Sequence, residues 1–336
     1  MSKKLKTLLL IVTLLISAAG LRMLTSGLQS TTESVEASSE GPISHAADAM
    51  TQTLYFPLIA RHWDTSIPPF GVQFYGTLSV DRGLTEIVDA GIRWVRMPLN
   101  WASIEPENTT PDQYNWSGLD TSVIRAEEQN LELILTIANQ PEWAAEYPMG
   151  PVYDVEDIKE FVGALVSHYD GTNGVPEVRH FELYNEPDNT SLERAAHGGW
   201  GYWGTNGTGY AALLRELYPV VKAANPDAQL VFGGMGLDWF TEDGGPFDSD
   251  FLEDVLAACE GQNCFDVMNF HYYPVFSWDQ YGPGILGKAM YIRQLMDQYG
   301  FFEEPLICTE MGWESNGSWG STELQSRYPA IVYSRA

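Results

Sequence analysis

Residues 178–188 read VRHFELYNEPD, an apolar, β-prone run that ends abruptly in Asn185, Glu186 and Pro187. Pro187 has no N–H for a strand ladder and biases the residue before it away from helix, so the run stops there and passes into a turn. A carboxylate is thereby fixed at the C-terminal end of a strand. A second acid in the run, Glu182, has the parity of an in-strand residue below Glu186 and is expected to pair inside the sheet or face a helix.

Six similar runs flank this one: FGVQFYG (70–76), RWVRMPL (93–99), LELILTI (131–137), AQLVFGG (228–234), FDVMNFH (265–271) and PLICTEM (305–311). Between them, residues 84–90, 119–130, 155–169, 209–224, 250–258 and 286–299 carry apolar side chains three and four apart, the helical period. Strand and helix in alternation mean right-handed βαβ units and a parallel sheet. Seven units and part of an eighth point to an α/β chain built as a (β/α)8 TIM barrel over residues 69–336. The rival, an open doubly wound sheet, lacks its G-x-G-x-x-G after the first strand, and no phosphate loop appears.

The barrel is expected to be truncated before the eighth strand. Residues 322–336 read as a seventh helix and no further strand follows. Either the sequence is a fragment of a longer one, or a segment of the N-terminal extension (51–68), such as Leu54–Ala60, fills the gap.

Composition narrows the partners. A net charge of −27 excludes nucleic acid, anionic membrane surfaces and polyanionic polysaccharides, and favours a neutral ligand. The 11 Trp and 17 Tyr exceed what a core of this size needs, and an aromatic cleft suits the flat apolar faces of sugars. Lys3, Lys4 and Lys6 precede LLLIVTLLISAAG, so residues 1–24 read as a secretory signal peptide, with an uncleaved anchor as the alternative. Residues 25–50, rich in Ser, Thr, Glu and Ala, read as a flexible linker. A secreted monomer is expected. Cys259 and Cys264 flank four residues and could close a short disulfide, while Cys308 lies in an apolar run; no zinc signature or other cofactor is implied.

In a TIM barrel the active face lies at the C-terminal ends of the strands. Two acids pass that filter: Glu186 on strand four and Glu310 on strand seven. These strands face each other across the barrel, and a carboxyl pair over a cleft is what glycoside hydrolysis needs. Glu105 and Asp188 read as structural or loop-orienting, and the acids of residues 241–250 as a solvated loop.

ELYNEPD after strand four and a glutamate ending strand seven resemble the retaining glycoside hydrolases of clan A, (β/α)8 glycosidases that include families 5 and 39. The resemblance runs from about residue 69 to the end of the chain. It implies Glu186 as acid/base and Glu310 as nucleophile. It further implies Arg96 as the strand-two arginine that holds the nucleophile, and Asn185 as a ligand of the sugar 2-hydroxyl. His271 and Tyr273 match the strand-six pair hydrogen-bonded around the nucleophile, and Asn139, Trp143 and Trp313 are candidates for contact with the scissile sugar. A non-catalytic carbohydrate-binding barrel is the alternative, but it has no need of both glutamates. An esterase would need a nucleophilic serine, and no G-x-S-x-G is present.

Overall fold

The computed structural model describes residues 58–60, 67–196, 200–273, 284–313, 315 and 320–333; the signal or anchor segment (1–24) and the linker (25–50) lie outside them. The strands are β1 (Leu58–Ala60), β2 (Gly71–Gln73), β3 (Trp94–Asn100), β4 (Glu132–Ala138), β5 (His180–Leu183), β6 (Gln229–Val231), β7 (Met268–Tyr272) and β8 (Leu306–Met311). The helices between and after them are α1 (Leu84–Asp89), α2 (Trp101–Ile104), α3 (Ser117–Glu128), α4 (Val155–His168), α5 (Leu192–Ala196), α6 (Gly207–Ala224), α7 (Phe251–Cys259), α8 (Gly284–Gln298) and α9 (Thr322–Tyr333). Among the described residues no helix is long and apolar enough to cross a membrane.

Strands β2 to β6 form a parallel sheet in sequence order, and β7 pairs parallel with β8. Parallel bridges Val231–Val267 and Met235–Phe270 join the two sets, so β2 to β8 are the seven barrel strands the sequence predicts. On the outer side of β8, β1 runs antiparallel, with Leu58 opposite Cys308. The N-terminal extension thus contributes a strand beside the last parallel one, while residues 54–57 of the segment expected at the gap lie outside the described residues.

Parallel strands covered on both faces read as continuous apolar runs, and every residue of β4 from Leu133 to Ala138 is buried. The inward side chains form layers. Trp94, Ile134, Val231, Val267 and Ile307 make a small apolar cluster toward the N-terminal end. Two residues further along their strands, Arg96, Thr136, Asn269 and Thr309 replace them with polar groups. The larger cluster packs strands against helices, with Phe161, Tyr169, Tyr210 and Phe251 fully buried.

Cys259, the last residue of α7, is disulfide-bonded to Cys264. Cys308 is a buried free thiol.

Candidate active site

Strand β5 ends as the sequence dictates, but with more strain than Pro187 alone would impose. Tyr184 and Glu186 both adopt left-handed backbone, at φ 68° and 47°, a conformation that costs non-glycine residues free energy. The Glu186 N–H donates to the Gly234 carbonyl oxygen at 2.8 Å, which ties the turn to the loop after β6. Glu310 is aimed by a different device. The ladder between β7 and β8 slips between Phe270 and His271, so Phe270 pairs with Cys308 but His271 with Glu310. The bulge leaves Thr309 as the extra residue. Thr309 therefore bonds Asn269 while its neighbour Glu310 still reaches Arg96.

Arg96 organises the floor of the site. Its five N–H groups are all used: Nε and Nη2 donate to Glu182 at 2.6 and 2.9 Å, Nη2 to Asn185 Oδ1 at 2.7 Å, and Nη1 to Gln73 Oε1 at 2.9 Å and Glu310 Oε1 at 2.6 Å. Burial alone would lower the guanidinium pKa, but Glu182 and Glu310 raise it, so it stays charged. Glu182, fully buried, also accepts from Thr136 Oγ1, the Gly234 N–H and Asn269 Nδ2 at 2.5, 2.9 and 2.7 Å.

One cation thus sits among three buried carboxyl groups, and it touches only two of them. Glu310 accepts from Arg96 and, on Oε2, from the Tyr273 hydroxyl at 2.8 Å. Glu186 has neither partner: its Oε1 lies 3.0 Å from His271 Nδ1, and its Oε2 has no hydrogen-bond partner among the described residues. Burial, then the charges of Glu310, Asp188 and Asp238, push the Glu186 pKa well above the carboxylate range. Burial raises Glu310 as well, opposed by Arg96 and the Tyr273 hydroxyl. Of the pair, Glu186 is the one that keeps a proton. Burial, Arg96 and Lys288 hold His271 well below its usual pKa, so the ring is neutral.

One oxygen of Glu186, one of Glu310 and a ring nitrogen of His271 lie within 4.8 Å of one another. That trio has the donor types of a metal site, but the guanidinium 2.6 Å from Glu310 opposes a second cation there.

Of the sequence candidates, the structure brings together Arg96, Asn185, Glu186, His271, Tyr273 and Glu310. The His271 hydrogen bond goes to Glu186, with Glu310 farther off at 3.6 Å, so the strand-six pair divides between the two carboxyl groups. Asn139 has left-handed backbone (φ 52°), and its carbonyl oxygen accepts from the Ala102 N–H. Trp143 packs edge-on against Trp101, and Trp313 lies 5.6 Å from Tyr328. Glu105 accepts from Trp101 Nε1, a packing role as expected. Glu182 pairs inside the barrel, as its parity predicts, but parity does not name its partner Arg96, and the roles of Gln73 and Asn269 left no sign in the sequence pattern.

Gly234 has a steric duty here. A Cβ at this position would stand 2.1 Å from His271 Nε2 and 3.0 Å from Asn269 Nδ2. Gly234→Ala is therefore expected to displace the imidazole, cost roughly 1–3 kcal/mol of stability as overpacking does, and lower kcat/KM by about tenfold or more. Thermal melts and steady-state kinetics check this; unchanged activity would mean the ring is not held by Gly234.

The family Cellulase (glycosyl hydrolase family 5) matches residues 61–326. No curated protein sequence matches the chain at a significant level. Among solved structures, a family 39 glycoside hydrolase from Bacteroides cellulosilyticus is 20% identical with a TM-score of 0.54, covering 78% of this chain and 52% of that one. A glucosidase from Croceicoccus marinus is 20% identical with a TM-score of 0.51, covering 70% and 50%. An endo-1,4-β-D-mannanase from Thermotoga petrophila is 18% identical with a TM-score of 0.51, covering 79% and 84%. The chain spans about half the length of the first two. It belongs to glycosyl hydrolase family 5.

Proposed function

We propose that this family 5 chain is a retaining glycosidase that cleaves a neutral β-linked oligo- or polysaccharide by double displacement, with Glu310 as nucleophile and Glu186 as acid/base. The observation that carries the reading is the carboxyl pair, with oxygens within 4.8 Å across the cleft and only Glu310 on the guanidinium. Retention goes with carboxyl groups roughly 5–5.5 Å apart, whereas inversion leaves room for a water at roughly 6.5–9.5 Å.

The division of labour follows from the charges. Glu310, ionised beside Arg96 and Tyr273, attacks the anomeric carbon as the glycosidic bond breaks. Glu186 gives its proton to the departing oxygen, then takes one from the water that hydrolyses the glycosyl-enzyme. A neutral His271 donating from Nδ1 to Oε1 leaves the acid proton on Oε2, the unpartnered oxygen. Asn185, oriented by Arg96, would meet the sugar 2-hydroxyl, and Asn139, Trp143 and Trp313 would line the cleft.

Export is part of the proposal. The basic and then apolar N-terminus supports it, as does the Cys259–Cys264 bond, since such bonds persist in oxidising compartments.

A screen of the purified chain against chromogenic glycosides tests the activity. The active form has Glu186 protonated with its pKa raised, so kcat/KM should fall on the alkaline side as Glu186 ionises, above the ordinary carboxylate range. With an aryl glycoside whose leaving group needs no protonation, that alkaline limb should vanish. A limb identical for good and poor leaving groups would remove Glu186 from the acid role.

A further inference from the structure

Behind Glu186 lies a second buried cluster of charges that the proposed reaction does not use. Asp188, Asp238 and Lys288 are 0%, 3% and 1% exposed. They come from the turn after β5, the loop after β6 and helix α8. Asp188 accepts from the backbone N–H groups of Gly236 at 3.1 Å and Leu237 at 2.8 Å. Lys288 Nζ donates to the Gly236 carbonyl oxygen and to Asp238 Oδ2, the latter at 3.2 Å. The Gly236 residue is thus gripped through both its N–H and its carbonyl.

The segment so held carries the acid/base end of the site. Glu186 donates its backbone N–H to the carbonyl of Gly234, and His271 donates its own to the carbonyl of Met235, each at 2.8 Å. Gly234 in turn donates to Glu182. Residues 234–236 therefore bind, one after another, Glu186, His271 and Lys288.

This segment would not hold its shape unaided. Leu237 and Trp239 have φ of 42° and 36°, strained for large side chains, and a Cβ on Gly236 would stand 2.3 Å from the Phe247 ring. Strained backbone of this kind persists only where its surroundings over-determine it. A buried ion pair is a poor route to stability, since well-packed apolar side chains of similar volume often do as well or better. The Lys288–Asp238 pair is placed where geometry, rather than stability, is at stake.

We propose that Lys288 is a positioning residue for proton donation: by anchoring Gly236 and Asp238 it fixes residues 234–237, and through them the Glu186–His271 pair. Asp238, held by Lys288, also keeps negative charge near Glu186 and so helps it retain its proton. The groups facing Glu186 are the carboxyl groups of Glu310, Asp238 and Asp188, the last with its pKa pushed up to about 7 by burial, together with the cation Arg96 and the neutral His271, on which Lys288 itself acts. The inference rests on Glu186 being the general acid.

The test compares kcat/KM, which reports the first bond-breaking step, on two glycosides of the same sugar: a dinitrophenyl glycoside that leaves without protonation and an alkyl glycoside that needs it. Lys288→Met is expected to lose about 30-fold or more on the alkyl glycoside, a part of the roughly 10²–10⁴-fold that a general acid supplies, and under ~3-fold on the dinitrophenyl one. Lys288→Arg should recover most of the loss. Equal losses on both substrates would reduce Lys288 to a packing role and overturn the proposal. Glu186→Ala, run alongside, separates the two ideas. If it too loses equally on both substrates, the general-acid assignment is what fails; if it alone shows the asymmetry, the positioning role fails. Should Lys288→Met not fold, Asp238→Asn keeps the lysine on the Gly236 carbonyl and removes one anion facing Glu186. Its alkaline limb should then move to lower pH by about half a unit or more, and a limb that stays put overturns the link from this cluster to Glu186.

Discussion

Glu310→Ala is expected to lower kcat by at least about ten-thousand-fold, or about 5.5 kcal/mol at 1.36 kcal/mol per decade, and azide should restore turnover with the opposite anomer as product. The argument is one of place and charge. Glu310 is the carboxyl group that accepts from Arg96 and the Tyr273 hydroxyl at the end of β8, one oxygen within 4.8 Å of an oxygen of Glu186. Truncation leaves a hole on the face where the covalent bond would form. A small anion can enter it and attack the anomeric carbon once, while Glu186 still protonates the leaving oxygen. Stability should move the other way. Removing Glu310 ends the cost of burying it, and Arg96 keeps Glu182 as its counter-ion. The variant should therefore melt no lower than the parent, as when function is maintained against stability. NMR of the azide product and a thermal melt check both halves. A variant with near-parental turnover would strip Glu310 of the nucleophile role, and one that unfolds would make it a structural acid.

How much of this could be read from the sequence depends on what kind of signal each residue leaves. The barrel strands were legible because parallel strands buried on both faces must be apolar, and LELILTI or PLICTEM can hardly be anything else. Glu186 was legible because Pro187 ends its strand, and Glu310 because it closes an apolar run. Parity located Glu182 but not its partner. The available clue was complementary: an acid inside FELY and an arginine inside RWVRMPL are each intolerable alone in a barrel interior, and tolerable only together. The bulge at Thr309 left no such trace, since a strict period of two would send Thr309 and Glu310 to opposite faces. Nor did the grip of Lys288 on Gly236, which joins a helix to a loop fifty residues earlier through a backbone carbonyl that no side-chain pattern records. The division of His271 and Tyr273 between the two carboxyl groups likewise depends on the register slip at Phe270 and His271.

The sharpest consequence of the Arg96–Glu182 pairing is that Arg96 cannot be removed cleanly. Arg96→Met should abolish most activity, at least about a thousand-fold, because Glu310 loses its counter-ion and Asn185 its anchor. It should also destabilise the fold by about 3–5 kcal/mol, because Glu182 is left fully buried with no compensating charge. Read alone, such a variant confounds chemistry with folding. A second substitution separates them. Glu182→Gln keeps a carbonyl oxygen for Asn269 and the Gly234 N–H while removing the stranded charge. Arg96→Met with Glu182→Gln is therefore expected to regain most of the lost stability and almost none of the lost activity. Denaturant midpoints of the parent, the two single variants and the double variant supply the coupling energy. If the two substitutions simply add in stability, Glu182 is not held by Arg96 in the way its two hydrogen bonds indicate. If the double variant recovers turnover along with stability, Arg96 serves the fold and Glu310 needs no cation to act. The expected outcome, a stable and inactive protein, requires that one guanidinium neutralise Glu182 for the barrel and Glu310 for the reaction.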